Sequence, residues 1–120
     1  MFETEEQKER IILVAVATAD GDDTEQSLDE LEELGQTAGA VTVAKVIQNR
    51  EKVHAGTYVG KGKIEEIKNL AISLDADAVV CDDELSPAQY HNLQDALEIK
   101  VIDRTVMILD IFAKRASTSE

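Results

Sequence analysis

Two Gly-Lys pairs, Gly60-Lys61 and Gly62-Lys63, stand side by side in the stretch TYVGKGKIEEIKNLA at residues 57–71. At the start of a helix, small glycines leave backbone amides exposed and lysines add positive charge, a combination suited to binding phosphate. A P-loop would require Gly, four residues, then Gly-Lys-Ser/Thr, with the hydroxyl on magnesium. Counting back from Gly60 and Gly62 reaches Ala55 and Thr57, and the lysines are followed by Gly62 and Ile64, so the motif is absent. The dinucleotide fingerprint fails as well, because Gly60-x-Gly62 would need a third glycine where Glu65 stands. Two readings remain. The stretch meets an isolated phosphate, such as a nucleic-acid backbone, or it is a glycine-rich turn with solvated lysines.

The charge distribution singles out the same stretch. The 120 residues carry a net charge of -13, which argues against a polyanionic partner for the molecule as a whole. Residues 1–44 hold 12 acids and 2 bases, and residues 69–103 hold 8 acids and 1 base. Residues 45–68 reverse the balance, with 6 bases against 3 acids. A polyanion is therefore expected to meet this loop, with the acidic remainder turned away.

Other groups of polar residues point to no chemistry of their own. Asp20, Asp22 and Asp23, with Asp82, Asp83 and Glu84, could gather at one sheet edge and bind magnesium, as in a phospho-accepting receiver. A receiver needs a fifth strand ending in lysine, which is missing here, so capping and solubility account for these acids. Cys81 lies alone in an apolar strand, and His54 and His91 have no carboxylate or second histidine at ligand spacing. No catalytic residue and no metal ligand is assigned.

These residues must be positioned by regular elements. IILVAVA at residues 11–17 reads as a strand covered on both faces, and Asp23 caps a helix starting near Thr24 whose apolar face is Leu28, Leu31 and Leu34. Gly35 or Gly39 ends that helix, and AVTVAKVIQ is the second strand. A loop over residues 49–59 leads to a helix with Ile64, Ile67, Leu70, Ala71 and Leu74 on one face. DAVVCDD is the third strand. Ser86, Pro87 and Gln89 then form a capping box with proline at the first helical position. IKVID is a fourth strand, and Arg104 to Ala116 a last helix, apolar round much of its circumference. The alternation predicts an α/β fold: one doubly wound, mostly parallel four-stranded sheet of order 2-1-3-4 with helices on both faces. Residues 1–9 are expected to fray and residues 10–120 to form a single domain.

No apolar run approaches the length of a membrane span, no secretory leader is recognisable, and the single cysteine implies a reducing, cytoplasmic setting. The aromatic content of 3% leaves few stacking platforms for single-stranded nucleic acid.

Taken in order and spacing, TYVGKGKIEEI, DDELSPAQYHNLQDAL and VIDRTVMILDIFAKRA resemble the N-terminal domain of the HflX family of ribosome-associated GTPases. The likeness covers residues 41–120 and is loose before them. It implies a non-catalytic module, followed in family members by a helical hairpin and by a GTPase domain that holds GTP and magnesium. It implies no cofactor in this stretch. The implied partners are the large ribosomal subunit with its rRNA, and the hairpin and GTPase domain of the same protein. Gly60, Lys61, Gly62 and Lys63 match the family's Gly-Lys-Gly-Lys motif, and Asp103, Arg104 and Arg115 its Asp-Arg and Arg-Ala elements. On physical grounds Lys61 and Lys63 are phosphate contacts and the two glycines give the backbone room. Asp103 is a helix cap or the partner of Arg104, and Arg104 and Arg115 are further RNA candidates, Arg115 alternatively facing the following domains. Ser86, Pro87, Gln89 and Asn92, with Asp103, belong to the structural part of the motifs.

Overall fold

The computed structural model describes residues 8–18 and 23–118, with side chains up to residue 113. The elements run β1 (Glu9–Ala17), α1 (Thr24–Thr37), β2 (Ala40–Asn49), α2 (Lys61–Leu74), β3 (Ala78–Cys81), α3 (Pro87–Leu97), β4 (Lys100–Asp103) and α4 (Arg104–Thr118). All three strand pairings are parallel, and the sheet order is β2-β1-β3-β4, as the alternating pattern predicts.

β1 lies at the centre because its side chains are apolar on both faces. Ile11, Leu13 and Ala15 join Leu28 and Leu31 of α1 and Met107 of α4 in one core layer. Ile12, Val14 and Val16 point the other way, to Ile64, Ile67 and Ala71 of α2 and Leu93 and Leu97 of α3. The two-residue period of the strand thus divides the helices into α1/α4 on one face and α2/α3 on the other. The β1–β2 register shifts between Ile11 and Ile12, whose partners are Thr42 and Ala44, so Val43 is an extra residue in β2. Such a bulge bends an edge strand locally.

Local boundaries follow backbone chemistry, with two corrections. Asp23 occupies the N-cap position of α1 but its side chain caps nothing. Its φ of -96° and ψ of 7° lie away from the extended backbone a capping side chain needs, and only its carbonyl engages, accepting from Ser27 N at 2.8 Å. Of the two glycines offered as helix ends, Gly39 has the left-handed φ of +93°, whereas Gly35 lies inside α1, where a Cβ would stand 3.1 Å from Ile11 Cδ1. The capping box of α3 is complete: Gln89 N donates to Ser86 Oγ at 3.1 Å and Ser86 N to Gln89 Oε1 at 2.9 Å, with Pro87 at the first helical position.

Candidate nucleic-acid interface

The loop from β2 to α2 presents the Gly-Lys pairs. Gly60 is the N-cap of α2 with extended backbone and, having no side chain, offers no cap. Its N–H donates to Gln48 Oε1 at 2.8 Å, which ties the helix start to the end of β2. Arg50 packs across the same point: a Cβ on Gly60 would sit 2.9 Å from Arg50 Nη1. Those neighbours are the ends of flexible side chains, which can shift, so neither space nor an unusual φ demands a glycine at Gly60. At Gly62 a Cβ would meet nothing within 4 Å. The start of α2 is therefore open, with its positive dipole end uncovered.

The cations here differ in what they already hold. Lys63 Nζ is 3.0 Å from Glu66 Oε1, Lys45 bridges Asp29 and Glu32, and Lys68 reaches Glu98 at 3.5 Å. Lys61 is exposed. Among the described residues, Arg50, Lys52 and Lys61 have no carboxylate within ion-pair distance. Arg50 instead donates from Nε to the Lys52 carbonyl at 3.0 Å, which leaves the rest of its guanidinium fork available.

The loop itself is pinned. His54 and Tyr58 exchange backbone hydrogen bonds of 3.1 and 2.9 Å, and His54 Nδ1 accepts from the amides of Gly56 and Thr57 at 3.1 and 3.2 Å. From α3, Gln89 Nε2 donates to the His54 carbonyl and Asn92 Nδ2 to the Gly56 carbonyl, both at 2.9 Å. Tyr58 adopts φ +67°, unfavourable for a bulky residue, and is held there by burial and by its hydroxyl's 2.7 Å bond to Asp83 Oδ2. Burial first, and then Asp83, raises the Tyr58 pKa far above the ordinary phenol value. Between this loop, α2 and α3 runs an open groove of about 760 Å³, lined among others by His54, Thr57, Lys61, Ile64, Glu65 and Ala96.

At the sheet's carboxyl edge the polar groups are instead locked together. Asp103 is 1% exposed; Oδ2 accepts from Leu85 N at 2.8 Å and Oδ1 from Val106 N at 2.9 Å, so it caps α4. Arg104 pairs not with its neighbour but with Asp82, its Nη2 2.8 Å from Oδ1, and donates to the carbonyl and hydroxyl oxygens of Ser27 at 2.9 and 3.0 Å. Tyr90 has a buried hydroxyl with no hydrogen-bond partner among the described residues, and burial together with the nearby Asp103 carboxylate raises its pKa. Burial likewise pushes the Cys81 thiol up, against the thiolate form that a nucleophile needs.

A family model described as GTP-binding GTPase N-terminal matches residues 25–113. GTPase HflX of Lacrimispora saccharolytica is 65% identical over 120 residues, covering all of this chain and 28% of that protein. GTPase HflX of Caldanaerobacter subterraneus subsp. tengcongensis is 46% identical over the same share of each. The chain belongs to the HflX family, as its N-terminal domain. The crystal structure of SsGBP in complex with GDP matches with a TM-score of 0.65 at 18% identity, over 92% of this chain and 31% of that one, a likeness of fold alone. The chain spans under a third of the length of these HflX relatives.

Within this HflX domain the residues of the three motifs separate. Gly60, Lys61, Gly62 and Lys63 come together at one exposed helix start, while Arg104 is engaged inside the fold and the Arg115 side chain lies outside the described residues. Asp20 and Asp22 lie outside them too, while Asp82 and Asp83 are taken up by Arg104 and Tyr58. Sequence reasoning missed Gln48 and Arg50, which reach Gly60 from the end of the preceding strand. The surplus of bases over residues 45–68 was the available signal; it marked the segment but not the residue.

Proposed function

We propose that this domain is a non-catalytic module of an HflX-type GTPase and helps bring the protein onto the large ribosomal subunit in the cytoplasm, where such a GTPase splits or rescues ribosomes under stress. GTP and magnesium belong, on this reading, to the GTPase part of the full-length protein. The observation that carries the proposal is the set of cations without a carboxylate partner among the described residues, Arg50, Lys52 and Lys61, around the start of α2, which no side chain caps, on a chain of net charge -13. Cations without carboxylate partners, next to exposed amides, are what rRNA phosphates need, and the acidic remainder limits contact to this side. Co-sedimentation of the domain with purified large subunits across a salt series tests it. Binding is expected to weaken with salt, and a Lys61→Ala/Lys63→Ala double variant to bind less tightly with a shallower salt slope. Binding indifferent to both salt and the double variant refutes the role of the loop.

A second reading rests on α4. Leu109 and Phe112 are 60% and 61% exposed, and Val106 lies beside them at 38%. An apolar stripe of this kind favours packing against the rest of a full-length protein, where the domain would adjust nucleotide affinity. GTP affinity unaltered by deleting the domain from a full-length HflX GTPase would eliminate this reading.

A further inference from the structure

Resting on the phosphate-binding reading of the loop, we propose that the groove beside it takes one unpaired RNA base, specifically a base with an exocyclic amino group, while the neighbouring cations hold its backbone. The volume of about 760 Å³ lies within the range of sites that enclose a small ligand. Ile64 and Ala96 give its lining apolar surface, and His54 contributes a flat ring. That ring is held in place through Nδ1 by the amides of Gly56 and Thr57, and unpaired bases stack on rings of this kind. Lys61 and Glu65 also line the groove, neither with an ion-pair partner among the described residues. A carboxylate repels phosphate, so Glu65 is misplaced in a site for backbone alone. It is well placed to accept from an amino group such as cytosine N4, while Lys61 reaches the phosphate next to the base.

The test uses the 120-residue chain with a cytidine 12-mer, a uridine 12-mer and a fully paired RNA duplex, measured by fluorescence anisotropy at low salt. The cytidine strand is expected to bind more tightly than the uridine strand, and Glu65→Gln, whose amide both donates and accepts, to remove the difference. Ala96→Met fills the groove at little cost to the helix and is expected to weaken both single strands by about fivefold or more, the low end of what stacking one base is worth, with duplex binding unchanged. Salt-sensitive binding of all three RNAs that ignores Ala96→Met would overturn the base site and leave the phosphate contacts standing. Failure of every RNA to bind would overturn both. Cytidine monophosphate competing as well as the strand, nucleotide for nucleotide, would replace RNA by a free nucleotide and overturn the assignment.

Discussion

Two arginine- and lysine-bearing regions of this domain differ in one respect, the fate of their charge. At the carboxyl edge of the sheet, Arg104 is satisfied by Asp82 and Ser27, and Asp103 beside it by two backbone amides. At the start of α2, Lys61 is exposed and Arg50 half-buried, and neither has an acidic partner among the described residues. By motif the two regions are equal candidates for RNA contact. The contacts make the first a fastener between β3, α1 and α4, and the second an open electrostatic surface. A cation whose donors are filled inside the fold stabilises the fold; one whose donors face water can bind a partner at little cost to stability.

The largest effect that could break this distinction lies at Asp103. Replacing it with alanine removes the cap of α4, about 1 kcal/mol, and strands the buried Leu85 amide, about 1–3 kcal/mol more. An Asp103→Ala domain is expected to lose about 3 kcal/mol in urea unfolding, with Asp103→Asn recovering part of it by keeping an acceptor. A loss under about 1 kcal/mol would mean that the edge is not the fastener described. Arg104→Ala comes next, at about 2 kcal/mol, because it leaves the nearly buried Asp82 without its counter-charge. RNA affinity of the folded fraction should not change. A domain of unaltered stability with weakened RNA binding would transfer Arg104 to the other region.

Which of these contrasts can be read from sequence depends on the range of the interaction. The strand–helix alternation and the Ser86-Pro87-Gln89 cap are set by residues within a few positions of one another, and the sheet order follows from that alternation through the rules for parallel crossovers, so all three are legible. The Asp23 cap was equally local in appearance, but its backbone takes a turn conformation that withdraws the side chain from the helix amides. Contacts across the sheet were not legible. Arg104 reaches Asp82, 22 residues away, in preference to the adjacent Asp103, and Gln48 reaches Gly60 across the loop. The strained backbone of Tyr58 carried no sequence signal either, since nothing in TYVG announces a left-handed tyrosine. The candidate site was therefore located by its glycines and charge, but its Arg50 side became visible only in three dimensions.

The smallest expected effect is the most discriminating within the open region. Gly62 lies in the first turn of α2, and a Cβ there would touch nothing within 4 Å. By backbone physics alone, Gly62→Ala stabilises the domain by about 0.5 kcal/mol, because alanine restricts the unfolded chain and suits a helix. The same methyl group would stand beside the amides that a phosphate must approach, so RNA affinity should fall as stability rises. That opposite movement separates a glycine kept for a partner from one that merely begins a helix. If thermal unfolding shifts upward while RNA affinity stays constant, phosphates do not come to the amides of α2. Contact would then run through the lysine and arginine side chains alone, and the helix start would no longer belong to the interface.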